Sequence, residues 1–307
     1  MSQRVIRVGV SLSPESTSWP DTREVALRID ALGYDYLFTW DHLLGAFGAR
    51  DRPVFEGWTL ISALAALTTH VRLGLLVGAV GFRRTALVAS AALTLDHVSG
   101  GRALVGLGAG WAEEEHVAFG LPFPSLGARL TELDAAAGEI RTLLDHDAVG
   151  NQGGSRGLLE LRPIQPRIPI LIGGWGPRRT PDLVARRADI WNAKGSPEDL
   201  VSLDRTLRER CAAIGRDQAE IERSIACRMV IRDTVADARA AWERICGSNG
   251  ASPDIEADPW LGPPEVIADR FARYAAIGFR TLVASLPTPY DLETIERLAK
   301  EVRPLVH

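Results

Sequence analysis

Two hydrophobic periodicities take turns along this chain, and that alternation limits the possible folds more than any single motif does. Short runs rich in β-branched, leucine and aromatic residues occur at 5–12, 36–40, 71–80, 102–107, 168–172, 190–193, 223–231 and 280–286. Longer stretches with helical spacing follow at 21–32, 56–69, 85–97, 125–145, 178–187, 198–214, 235–246, 264–277 and 292–302. Strands that alternate with helices pair in parallel through right-handed crossovers. Eight such units in 307 residues predict an α/β fold, a (β/α)8 TIM barrel forming a single domain over 1–307. The alternative is a doubly wound open sheet, which ordinarily stops at about five to seven strands. The connection after the fourth strand is the longest. It holds one strong helix and a Gly/Pro-rich excursion at 150–169 with a short strand at 158–161, and it reads as an insertion between strands 4 and 5 on the barrel's top rim.

Charge excludes several partners. Lys and Arg total 35 against 39 Asp and Glu, a net charge of −4, so neither nucleic acid nor an anionic membrane is expected. The apolar run at 86–95 is interrupted by Ser90 and Thr94 and ends at Asp96, far short of a membrane span. The short apolar run within the first twelve residues is a strand pattern, too short for a signal-peptide core. Cys211, Cys227 and Cys246 lack CxxC spacing and read as reduced thiols in a soluble, cytoplasmic protein. The six histidines (42, 70, 97, 116, 146 and 307) show no HxH or HExxH pattern, so no metal is expected.

In a barrel of this kind catalysis belongs at the C-terminal ends of the strands. The unusual residues collect there: Trp40-Asp41-His42 after strand two, 78–84 after strand three, Gly108-Ala109-Gly110-Trp111 after strand four, Gly173-Gly174-Trp175-Gly176-Pro177-Arg178-Arg179 after strand five, and Trp191-Asn192 in strand six. The imidazole of His42 suits proton transfer; the plainer reading is a helix-capping Asp beside a surface His. The 173–179 turn opens a helix, and its free N–H groups with two arginines suit a phosphate; the plainer reading is a tight turn with solvated arginines. It is neither a Walker A loop nor a Rossmann fingerprint. Glycines at 106–110 let something approach the main chain closely. Trp40, Trp111, Trp175 and Trp191 either wall a pocket for a planar ligand or fill the core. Glu113, Glu114 and Glu115 either act in the site or merely favour a helix start.

Taken together, these words resemble the bacterial luciferase-like monooxygenase superfamily, and within it the coenzyme F420-dependent oxidoreductase branch. The resemblance rests on Trp40-Asp41-His42-Leu43, Glu56-Gly57-Trp58-Thr59, Val71-Arg72-Leu73-Gly74, Ser99-Gly100-Gly101-Arg102, 106–111, Glu114-Glu115-His116, Pro163-Ile164-Gln165-Pro166, Ile172-Gly173-Gly174 with Gly176, and Ala188-Asp189 followed by Trp191-Asn192. It implies a flavin-type ring at the barrel mouth, propped by a bulge at Val77-Gly78-Ala79 that often carries a non-prolyl cis peptide. It implies His42 as proton partner oriented by Asp41, with Glu115 in the reacting set. Gly108, Ala109 and Gly110 would line the cofactor site, and Gly173, Gly174, Trp175, Gly176, Arg178 and Arg179 would hold its phosphate. Trp40, Trp111, Trp191 and Asn192 would form the substrate pocket. Two stretches depart from the family pattern: Trp175 replaces a small residue, and Phe82-Arg83-Arg84-Thr85 replaces an aromatic-Arg-His/Asn-Pro word. The resemblance implies hydride transfer between coenzyme F420 and a small organic substrate, in a homodimer. Two alternatives stay open: a monooxygenase taking reduced FMN from a separate reductase, and a non-catalytic flavin-binding protein.

Overall fold

A computed structural model describes residues 6–145 and 161–306; the strand expected at 158–161 therefore lies almost wholly outside the described residues. The barrel strands are β1 (Arg7–Leu12), β2 (Tyr36–Thr39), β3 (Arg72–Leu75), β4 (Gly78–Ala79), β5 (Val105–Gly108), β6 (Ile170–Gly173), β7 (Ile190–Ala193), β8 (Glu222–Cys227) and β11 (Thr281–Leu286). They pair in parallel in the order β3-β2-β1-β11-β8-β7-β6-β5-β4. β3 and β4 are two halves of one barrel strand, parted at Leu76–Val77, whose peptide bond is cis. Leu73 donates to the Arg102 carbonyl at 3.0 Å and its own carbonyl accepts from the Leu104 amide at 2.9 Å, which closes the ring. Eight strand positions result, as the alternation predicts.

The helices that follow the strands are α1 (Trp19–Ala31), α2 (Gly57–Ala65), α3 (Thr85–Ser99), α5 (Leu126–Leu144), α6 (Thr180–Arg187), α7 (Pro197–Ala213), α8 (Val235–Ser248), α9 (Pro264–Ala276) and α10 (Leu292–Arg297). Their starts are chemically marked. Ser18, Ser125, Ser196 and Thr234 each accept a hydrogen bond from the amide three residues on, satisfying one of the free N–H groups of a first turn. Between β5 and α5 sits a short helix, α4 (Glu113–Ala118).

The expected strand at 223–231 is divided. β8 stays in the barrel, while β9 (Met229–Ile231) leaves it to pair with β10 (Trp260–Gly262). Arg228 marks the break: its guanidinium lies 5.4 Å from the Trp40 ring centroid and 4.4 Å from that of Phe47. A cation stacked on aromatic faces this way is taken out of the apolar ladder.

Pleat alternation sends every second side chain into the barrel. At the lower end Tyr36 Oη and Thr281 Oγ1 donate to Glu222, which also pairs with Arg7 at 3.0 Å. Above this polar plug, Phe38, Leu104, Leu171, Ile190 and Val283 fill the middle. At the upper end the inward residues are small: Ser11, Gly108, Gly173, Asn192, Ala226 and Ser285. Small residues on six strands leave the barrel's mouth open above a packed core, and that places the site.

Candidate active site

The open mouth is a cavity of about 670 Å³. Its walls come from the strand ends, from Trp111, Ala112, Glu115 and His116 after β5, and from Leu126, Leu130 and Leu133 on α5. A largely apolar cleft of this size with a few convergent polar groups is the usual form of a small-molecule site.

Its side wall is the break between β3 and β4. The Val77 side chain is wedged between two glycine strands: a Cβ on Gly108 would lie 2.6 Å from Val77 Cγ2, and one on Gly173 would lie 3.0 Å from Val77 Cγ1. A Cβ on Gly106 would meet the Leu75 carbonyl at 1.8 Å. The close approach that these glycines permit is thus first of all an approach by the chain itself. The bulge they accommodate then presents Leu76, Val77 and Ala79 to the cavity, together with Gly108, Ala109 and Gly110. Gly78 turns to the other side, 3.5 Å from Asp41 Oδ2 at its Cβ position.

Asp41 braces that bulge. Its carboxylate accepts from the Ala79 amide at 3.2 Å and from both terminal nitrogens of Arg83, at 2.7 and 2.9 Å. Arg83 also pairs with Glu56, the N-cap of α2. Burial pushes the Asp41 carboxyl upward against the pull of Arg83. Glu56 is held below its ordinary range despite burial, by its bonds to Thr59 and by Arg83. The expectation that Asp41 orients His42 is corrected here: Asp41 is tied to Arg83, which keeps the arginine of the family word, whose departures lie at the next two positions, Arg84 and Thr85.

His42 has a different acid. Its Nδ1 is 2.8 Å from Glu115 Oε1. With Glu115 ionised, Nδ1–H donates to it and Nε2 is left without a partner among the described residues. Glu115 is fully buried and its Oε2 has no hydrogen-bond partner. The imidazole stands edge-on to Trp40 and Trp111, with centroids 6.4 and 5.5 Å apart. A buried carboxylate, an imidazole with one nitrogen free, and two indoles thus converge on the cavity.

The remaining expected residues divide. Trp40, Asn192, Gly174, Trp175 and Gly176 line the cavity, Trp111 and Trp175 as exposed rim residues. Trp191 does not line it: it is fully buried, packs on Phe279 at 5.4 Å and donates from Nε1 to the Gly174 carbonyl at 2.8 Å. Its outward parity in β7 puts it in the barrel-helix layer, so it supports the 173–179 turn from behind. Arg178 and Arg179 lie outside the lining as well. Arg179 donates to the Gly127 carbonyl at 2.6 Å and to Thr131 at 2.9 Å, joining the turn to α5. The helix expected from 178 starts at Thr180, with Arg179 as its N-cap and Pro181 in its first turn.

Other contributors had weaker signals. His116 is buried between Phe82 and Phe123, with Nδ1 3.0 Å from the Ala112 carbonyl. Glu15, fully buried, accepts from the Ala46 and Phe47 amides at 2.9 and 3.1 Å and so fixes the loop 44–54; burial pushes its carboxyl upward against those bonds. Arg50 of that loop pairs with Glu114 at 3.0 Å and lies 5.8 Å from the Trp111 ring, tying loop to rim. Ser11, Ser285 and Lys194 line the cavity, and only their places at strand ends would have pointed to them. Among the described residues no cluster of three His, Cys, Asp or Glu suits a metal, and no helix is long and apolar enough to cross a membrane.

Comparison with known proteins bears on the family and the fold. An uncharacterised protein of Mycobacterium tuberculosis is 31% identical over 172 residues, which are 55% of this chain and 60% of that one. The match thus spans about three fifths of that relative's length. A protein of Kineococcus radiotolerans named F420-dependent glucose-6-phosphate dehydrogenase is 29% identical over 241 residues, 76% of this chain and 70% of that one. An F420-dependent secondary alcohol dehydrogenase, solved with an F420–acetone adduct, superposes with a TM-score of 0.83 at 19% identity, over 99% of this chain and 100% of that one. The FMN-bound oxygenating component of a diketocamphane monooxygenase from Pseudomonas putida gives 0.73 at 14% identity, over 99% of both chains. These structures share the fold. The model of the luciferase-like monooxygenase family matches residues 5–275, and the chain belongs to that family.

Proposed function

We propose that this chain is an oxidoreductase that holds coenzyme F420 in the mouth of the barrel and uses His42 to pass a proton to or from a small organic substrate. The observation that carries the reading is the His42–Glu115 pair: a fully buried carboxylate with one oxygen on the imidazole and the other without a partner, on the wall of a mostly apolar cavity. A buried, half-satisfied acid is costly to a fold that gains nothing from it.

The residues present fit a planar tricyclic group. The Leu76–Ala79 bulge and the backbone at 108–110 offer a flat, side-chain-poor surface, with Trp40 and Trp111 beside it. The turn at 174–177 lines the cavity just ahead of α6, and the first-turn amides there suit the cofactor's phosphate. When bound, the deazaflavin supplies hydride transfer. His42 Nε2 then exchanges a proton with a substrate oxygen, and Glu115 fixes the tautomer and stabilises the charged imidazole. Trp40, Trp111 and the α5 leucines keep water from the reacting atoms.

Support for F420 over FMN comes from the Kineococcus radiotolerans relative named above, an F420-dependent dehydrogenase at 29% identity. The FMN-bound neighbour keeps the monooxygenase reading as the competitor. Fluorescence titration of the purified chain with F420 and with FMN separates the two: saturable binding of F420 with weaker binding of FMN is expected. Tight FMN binding with none of F420 would overturn the proposal.

A further inference from the structure

We infer that Ser11 anchors a substrate subsite on the cavity floor, built for an uncharged oxygen, the hydroxyl of an alcohol or the carbonyl of a ketone or aldehyde, on an otherwise apolar molecule. The inference deepens the oxidoreductase reading and rests on it for the chemistry that follows binding.

Three observations lead there. Ser11 is fully buried near the end of β1, its Oγ has no hydrogen-bond partner, and it lines the cavity. Val10 and Leu12 on either side are core residues, so a hydroxyl here serves no packing need, and a buried one normally finds a partner. Its surroundings are polar in the same neutral way. Ser285 is its register partner on β11 and also lines the cavity. Asn192 turns its amide nitrogen to Ser224 Oγ at 3.1 Å, which leaves Oδ1 to accept.

Charge decides what kind of oxygen fits. Lys194 is the one Lys or Arg among the described lining residues, and its Nζ is held by Glu256 at 3.0 Å. Asp41 is neutralised by Arg83, and Glu115 brings negative charge to the wall. A phosphate or carboxylate on the substrate would meet no free cation and one buried acid. The rest of the surface, including Leu76, Leu130, Leu133 and Ile172, is hydrocarbon. Specificity is thus expected to differ from that of the relative named F420-dependent glucose-6-phosphate dehydrogenase.

The test uses the full chain, with and without saturating F420, and three soluble probes of one shape: cyclohexanol, cyclohexanecarboxylate and cyclohexylammonium. Quenching of tryptophan fluorescence reports binding in wild type, Ser11→Ala and Ser11→Thr. Cyclohexanol is expected to bind best. Ser11→Ala should weaken it about 5–10-fold, the effect of one hydrogen bond, and Ser11→Thr should restore it to within about twofold. Equal cyclohexanol affinity in wild type and Ser11→Ala would overturn the subsite, and so would a preference for either charged probe. If F420 itself does not bind, the cofactor reading fails, while the Ser11 comparison on the cofactor-free chain still decides the subsite.

Discussion

Asp41 and His42 leave the top of β2 in succession, and each meets a different kind of partner. Asp41 is saturated: two bonds from Arg83 and one from the Ala79 amide use both its oxygens. The group that faces it, Arg83, is shared with Glu56, so the cluster joins β2, the bulge of β4 and the start of α2. His42 and Glu115 form an open pair. One imidazole nitrogen has no partner among the described residues, and one buried carboxylate oxygen has none. A saturated charge cluster holds a shape, whereas an open one on a cavity wall is free to exchange a proton or bind a ligand. Adjacent residues of similar polarity thus take up a structural and a chemical role according to what the tertiary fold brings to them.

This contrast can be broken at either pair. His42→Ala should lower F420-linked turnover of a neutral alcohol by about 10²–10⁴-fold, the usual worth of a positioned general acid-base, with F420 affinity little changed; steady-state kinetics and fluorescence titration read both. Arg83→Ala should cost about 3–5 kcal/mol in urea unfolding, because it strands Asp41 as a buried, unpaired acid. Gly173→Ala should cost about 1–3 kcal/mol in the same assay by overpacking against Val77, and should weaken F420 binding through the displaced bulge. Far from the site, Asp30 offers a second saturated acid. It accepts from the Thr69, His70 and Val71 amides and the Thr69 hydroxyl, which together outweigh burial and hold it at about 2. Its native value lies below the unfolded one of about 3.9. Its contribution is therefore complete above about pH 4 and is lost as pH falls through about 2. Asp30→Asn should flatten that part of an acid-unfolding curve.

The barrel was legible because it follows from period: 2-residue and 3.6-residue patterns repeat eight times, and the glycine-rich words at 108–110 and 173–176 mark two of the strand tops. The site's address was legible for the same reason. Its pairings were not. Nothing in Trp40-Asp41-His42 says that the acid 73 positions away, rather than the adjacent one, reaches the imidazole. Strand parity offered one overlooked signal: Trp191 and Asn192 cannot both face the cavity, and Trp191 is the one behind the wall. Arg83 stands in a word whose departures are Arg84 and Thr85, and nothing in that word points to Asp41 as its partner. The reason for the glycines was hidden too, since Val77, the group they admit, belongs to a different strand. β10 was missed because three residues carry no period, and it pairs only with a segment that leaves the barrel.

Asp41 maintains the structure, whereas Glu115 is maintained by it. Urea unfolding of Asp41→Asn and Glu115→Gln, measured side by side, tests this directly. Asp41→Asn should lose about 3–5 kcal/mol, as a broken buried ion pair does. Glu115→Gln removes a buried charge whose second oxygen lacks a partner, so its stability should stay within about 1 kcal/mol of wild type or rise. A loss in Glu115→Gln equal to that in Asp41→Asn would make both acids structural and remove the distinction between them.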